Sequence, residues 1–233
     1  MYNNLPIKDY VTSGSEGDLK LALENLQDKI ALMMDWVDAN CIRNDESIAL
    51  LNLLSANSQC ANIFHTSIGN HISILALATR NLYELNLTTR SIIKSKENLN
   101  NWNSEAITDK IQVLEGILSI HTASDLPQQR KILTTEINRL KDLRKKYELP
   151  EIKTPASAGQ VAKDLESTDE HKSLYKLFSK IVHPSSYLVN DHKNSASIET
   201  IMILQIQGQI YIHDTLSKIS EHLNIPDTIT EQA

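Results

Sequence analysis

"ASIETIMILQIQGQIYIHDTLSKISEHL", Ala196 to Leu223, is the stretch on which the fold turns. Its apolar residues Ile198, Ile201, Met202, Leu204, Ile206, Ile210, Ile212, Leu216, Ile219 and Leu223 recur with the period of a helix, not the alternation of a strand. They cover a broad arc, and so wide an apolar surface predicts a central helix packed on more than one side.

The same periodicity gives the other helices. "SEGD" (Ser15 to Asp18) resembles a capping box, and Leu19, Leu23, Leu26, Ile30, Met33 and Val37 follow as one stripe. "RNDES" (Arg43 to Ser47) supplies caps for a second helix with Ile48, Leu51, Leu54 and, further on, Ile63 and Phe64, and "IGNH" (Ile68 to His71) breaks the chain after it. A third helix runs from about His71 to Ser95, and a fourth ends near His121. "SDLP" (Ser124 to Pro127) opens a fifth, with Asp125 as cap and Pro127 in its first turn. A sixth covers about Thr168 to Val182. The predicted fold is all-α, a single-domain bundle of six or seven helices over residues 15–223, with the third, sixth and seventh at its centre. Residues 1–14 are expected to form an irregular arm and 224–233 a flexible tail. "LPEIKTPASAG" (Leu149 to Gly159) joins two prolines to small residues and is expected to be an exposed, mobile loop.

Composition agrees with helices. Six glycines and six prolines in 233 residues are too few for the turns of an all-β chain, and with 5% aromatics the core must be mostly Leu and Ile. A formal net charge of -6 argues against a generally basic surface for duplex nucleic acid. The fifth helix is locally basic, with Arg130, Lys131, Arg139, Lys141, Arg144, Lys145 and Lys146. A solvated face accounts for it better than base stacking, since almost no aromatics are interleaved; a weak nucleic-acid contact is compatible with it. Cys41 and Cys60 lack ligand-like spacing and suit a reduced compartment. The N-terminus resembles no signal peptide and no apolar run is long enough for a membrane span, so a cytoplasmic protein is expected.

Two stretches stand out for chemistry. In "RNLYE" (Arg80 to Glu84), the Arg80–Glu84 spacing of four places an ion pair on a mostly apolar helix. In "SKIVHPSSYL" (Ser179 to Leu188), Pro184 pushes His183 out of the α region, so the sixth helix ends near Val182 and leaves His183, Ser185 and Ser186 on a turn. Tyr175, Ser179 and His183 border that helix's apolar face of Leu174, Leu177, Phe178 and Ile181. Both stretches also have bland readings, a narrow solvated face for the pair and helix-end capping for the serines.

"RNLYELNL" (Arg80 to Leu87), "ENLNNW" (Glu97 to Trp102) and "YKLFSKIVHPSSYLVN" (Tyr175 to Asn190) resemble a family of uncharacterised helical bacterial proteins, a domain of unknown function, over roughly residues 70–220. The resemblance implies that an Arg-x-x-x-Glu helix and a Tyr-x-x-x-Ser-x-x-x-His helix recur together, here as Arg80, Glu84, Tyr175, Ser179, His183 and the turn Pro184-Ser185-Ser186. It supports one shared polar site and implies no activity. The family is distantly similar to HEPN nucleases, whose Arg is followed four to six residues on by His; no Arg of this chain has a His at that spacing.

Other chemistries lack their residues. No Glu-x-x-His, His-x-x-x-His, Gly-rich phosphate loop or Gly-x-Ser-x-Gly elbow occurs, so neither metal nor cofactor is expected. Two readings stand. In the first, the chain is a binding or assembly module whose polar site (Arg80, Glu84, Ser179, Ser185, Ser186) takes a small anionic ligand or a protein partner. Arg80 clamps the anion and Glu84 orients it. In the second it is a HEPN-like nuclease or phosphate-processing enzyme of a toxin or phage-defence system. His183 is then the general acid/base, Tyr175 a proton donor or positioner and Arg80 a charge stabiliser. A homodimer is compatible with a helical bundle, and no sustained heptad demands one.

Overall fold

Ser15 opens the first helix as its sequence predicts. Its hydroxyl accepts from the Asp18 amide, and the Asp18 carboxylate accepts from the Ser15 amide in return. This helix, α1, spans Glu16–Asn40 in the computed structural model, which describes residues 11–120 and 127–230. All six residues of its predicted stripe are buried. Asn44 caps α2 (Asp45–Ser67), which packs on α1 and buries Leu50, Leu53, Leu54 and Phe64, while Ile48 and Ile63 of the expected set are exposed. The chain then turns at Gly69, whose φ of +82° suits only glycine, and a Cβ there would come 3.0 Å from the Glu16 carboxylate.

The next two long helices are α3 (Ile72–Lys94) and α4 (Lys96–Ser119), followed by α5 (Pro127–Lys146) with Pro127 at its first position. Asp125, expected to cap α5, lies outside the described residues. Then come α6 (Ala158–Asp164), α7 (Thr168–Val182), α8 (Ser186–Asn190), α9 (His192–Ser195), α10 (Ile198–Leu223) and α11 (Asp227–Thr230). Every described element is helical, so the all-α expectation holds. The count of six or seven does not. The additional helices, α6, α8, α9 and α11, are four to seven residues long, too short to display an apolar period of their own.

Nor does one bundle contain everything. The chain divides into two compact units, residues 1–93 with 158–233, and residues 94–157. The reason is visible in the smaller unit, where Ile107 and Ile111 of α4 close a core with Ile137 and Leu140 of α5. The segment after α5 is largely exposed but is tied back to α4. Ser104 donates to the Pro150 carbonyl, and Thr108 donates to the Ile152 carbonyl at 2.9 Å. Four basic residues of α5 have partners: Arg139 shares Glu136 with Lys110 of α4, Lys141 meets Glu115, Arg144 meets Glu151, and Arg130 donates to the Leu118 carbonyl.

At the two ends of the chain, side chains do what periodicity could not announce. Of the expected arm, residues 1–10 lie outside the described residues; Thr12 exchanges two hydrogen bonds with the Gln209 amide on α10. In the expected tail, Ile225 is buried and α11 packs on α1, while residues 231–233 lie outside the described residues.

Candidate functional site

Three helices of the larger unit carry the polar interior: α3, α7 and α10. Contacts fix their register. Ser73 donates to the Ile181 carbonyl, Arg80 to Tyr175, and Arg90 to Ser167, so α3 and α7 run antiparallel. Thr79 reaches the Leu204 carbonyl and Asn86 reaches Asp214 and Thr215, so α3 and α10 run parallel.

Along that seam a continuous chain of contacts begins with the predicted pair. Arg80 Nε donates to Glu84 Oε1 at 2.8 Å, and Arg80 Nη2 donates to the Tyr175 hydroxyl at 2.7 Å. The guanidinium carbon also lies 4.8 Å from the Tyr175 ring centroid, a cation–π contact. Burial opposes the Arg80 charge, but the hydrogen bond and negative charge of Glu84 outweigh it, and the net pKa shift is upward. Tyr175 stacks on His171 at 4.6 Å, one turn earlier on α7. His171 Nδ1 in turn lies 3.0 Å from the hydroxyl of Tyr83, which is fully buried.

Both buried phenols on this chain stay protonated. Burial, then the nearby Glu170 charge, pushes the Tyr83 phenol well above its ordinary range, so it stays protonated and shares a hydrogen bond with His171 Nδ1, while Nε2 is the other ring nitrogen. That nitrogen faces α6 at Gly159, where a Cβ would stand 3.1 Å away. Tyr83 packs against the ring of Tyr211 at 5.1 Å, and Tyr211 donates to Glu170 Oε1 at 2.9 Å. Burial, followed by the Glu170 charge, raises the Tyr211 pKa still further, so this phenol too stays protonated.

Beyond Tyr211 the network opens into a cleft of about 240 Å³, lined by Asn86 and Arg90 of α3, Glu170 of α7, and Tyr211, Asp214 and Lys218 of α10. Asn86 is buried and donates to Asp214 Oδ2 at 2.7 Å, which orients that carboxylate. Among the described residues, no group of three or more His, Cys, Asp or Glu side chains could hold a metal ion.

Of the sequence-predicted residues, Arg80, Glu84 and Tyr175 come together, but His183 does not join them. The α3–α7 register sets His183 opposite the start of α3, about 20 Å along the axis from Glu84 at 1.5 Å per residue. It is exposed and extended, with ψ of 154°, as a residue before proline should be. Ser185 closes helix ends: its hydroxyl donates to the Lys180 carbonyl at 2.6 Å and accepts from the Leu188 amide. Ser186 is exposed in the first turn of α8, and Ser179 is half-buried on α7.

Sequence reasoning missed His171, Tyr83, Glu170, Tyr211, Asn86, Arg90, Asp214 and Lys218. One signal was available. Tyr83 and Tyr211 stand inside broad apolar faces of a chain with few aromatics, and a buried tyrosine hydroxyl needs a partner.

The model of a family of unknown function, DUF5677, matches residues 46–197. The chain belongs to the DUF5677 family. The matched region runs from α2 through α9 and so contains the Arg80 helix and the Tyr175 helix. It begins earlier and ends earlier than the expected span of 70–220, stopping one residue before α10. No curated protein and no solved structure matches the chain.

Proposed function

We propose that this DUF5677 member is a binding module, and that its ligand site is the polar cleft where α3, α7 and α10 meet. One observation carries the reading. Several opposite charges elsewhere on the chain close on each other, as in Arg80–Glu84 and Arg139–Glu136. In the cleft, Glu170 and Asp214 are instead held by the neutral Tyr211 and Asn86, and Arg90 by the neutral Ser167. Neutral partners orient these charges without cancelling them, as a site kept ready for a small polar ligand requires.

The Arg80–Glu84–Tyr175 cluster then serves as the support. It joins α3 to α7, and through His171 and Tyr83 it sets the position of Tyr211 at the cleft wall. This reading moves the ligand site away from Arg80 itself, two of whose donors are already engaged.

Native mass spectrometry of the full chain, purified gently and then after denaturation and refolding, tests the proposal. A bound small molecule lost on refolding, and absent from a Tyr211→Ala variant, is the expected result. RNA or nucleotide turnover that disappears in His183→Ala, with no small molecule bound, would favour the HEPN-like nuclease reading instead.

A further inference from the structure

We infer that the ligand of this cleft is a small zwitterion of the α-amino-acid class, bearing an ammonium and a carboxylate a few bonds apart. The inference rests on the cleft being the binding site, and it names what the site recognises. Two carboxylates, Glu170 and Asp214, and two cations, Arg90 and Lys218, line one volume of about 240 Å³. Among the described residues, no ion pair within 4.0 Å joins either cation to either carboxylate. Lys218 instead meets Glu221 at 3.3 Å in an exposed pair on its own helix.

Each held group keeps unused capacity. Glu170 accepts from Tyr211 through Oε1, and Asp214 accepts from Asn86 through Oδ2, which leaves Oε2 and Oδ1 to receive an ammonium. Arg90 donates to Ser167 through Nη2, which leaves Nε and Nη1 for a carboxylate. Asn86 donates through Nδ2, so its amide oxygen is a further acceptor. Ile210 adds apolar surface to the lining.

The charge pattern decides between ligand classes. A free phosphate meets two carboxylates whose repulsion opposes it, and a diamine meets two cations that oppose it equally. A ligand with both charges satisfies both halves. The volume points the same way, since it is smaller than the roughly 300–1,000 Å³ of drug-sized pockets.

Isothermal titration calorimetry on the full chain with each of the common α-amino acids tests the inference. For each binder, its N-acetyl and carboxamide derivatives follow, with inorganic phosphate and putrescine as single-sign probes. At least one free amino acid should bind, and loss of either charge should weaken it at least tenfold. Arg90→Gln and Asp214→Asn should each weaken it by a similar factor with the circular dichroism spectrum unchanged. The derivative comparison uses the unaltered protein, so it decides even if a variant fails to fold. Binding of phosphate or putrescine at least as tight as any amino acid, and sensitive to these substitutions, would overturn the zwitterion and leave the cleft a binding site. Silence from every probe would overturn the inference. If gently purified protein still carried a small molecule, the cleft reading would survive that silence.

Discussion

Helix α10 is packed from two sides, and the two seams are built on different rules. On the α2 side, contact is apolar and very close: a Cβ on Gly208 would come within 2.4 Å of the Phe64 ring. Seven residues before Phe64, on the same stripe of α2, Asn57 is buried and neither of its side-chain polar atoms has a hydrogen-bond partner among the described residues. On the α3 side the rings of Tyr83 and Tyr211 stand between the helices, and buried Asn86 donates to both Asp214 and Thr215. The difference teaches where to look for function. A buried polar group whose donors are matched has been built into its place, whereas one buried without partners is a burden the fold tolerates.

The same substitution on the two asparagines should therefore act in opposite directions. Asn86→Leu removes the donor that orients Asp214 and should lower the unfolding free energy by about 3 kcal/mol, since hydrogen bonds to charged groups are worth about 1.5–3 and repacking adds to the loss. Urea denaturation followed by circular dichroism measures it. A loss below about 1 kcal/mol would mean that the α3 seam is no better matched than the α2 seam.

Gly208→Ala sets two effects against each other on the α2 seam. Alanine gains about 1 kcal/mol in helix propensity, but overpacking against Phe64 costs about 3, so a net loss of about 2 kcal/mol is expected. Adding Phe64→Leu should make the two changes non-additive, with the glycine substitution costing less in that background.

Asn57→Leu should do the reverse of Asn86→Leu and stabilise the chain by about 1 kcal/mol, because an unmatched amide is exchanged for an apolar side chain of similar size. A melting temperature that falls instead would show that Asn57 has a partner, and that the contrast between the seams is weaker than drawn.

The smallest effect is expected away from α10, in the α4–α5 unit. Hydrogen bonds from Arg139 and Lys110 hold the half-buried Glu136 carboxyl at about 2, below its ordinary 4.5. A carboxyl with a lowered folded-state pKa adds stability above pH 4.5 and loses it as pH falls toward 2. Glu136→Gln should flatten the acid limb of this unit's unfolding, read from Trp102 fluorescence in a Trp36→Phe background. High salt should shrink the difference, as it screens exposed pairs.

Much of this architecture could be read from residues alone, and the boundary has a physical basis. The α1 stripe, the Ser15 capping box, the end of α7 before Pro184 and the Arg80–Glu84 pair all depend on neighbours within about four positions. Tyr175 was legible as a candidate through its place beside an apolar face and through the family resemblance. Nothing within a few residues of Tyr83, Tyr211, Glu170, Asp214 or Lys218 marks the cleft. The expectation that His183 shares a site with Glu84 failed for a related reason. Helical phase says which side of α7 a residue occupies, but not how far along α3 it lies.

Helical content, most long-helix boundaries, and the i to i+4 pairings were determined by the sequence itself, because backbone hydrogen bonds, caps and apolar periods are local. Tertiary structure alone decided that α3 runs antiparallel to α7 and parallel to α10, that residues 94–157 close a core of their own, and that four charges from three helices face one cleft. Those outcomes depend on how side chains far apart in the chain fit together. Many packings share one local pattern, and only the complete set of contacts selects among them.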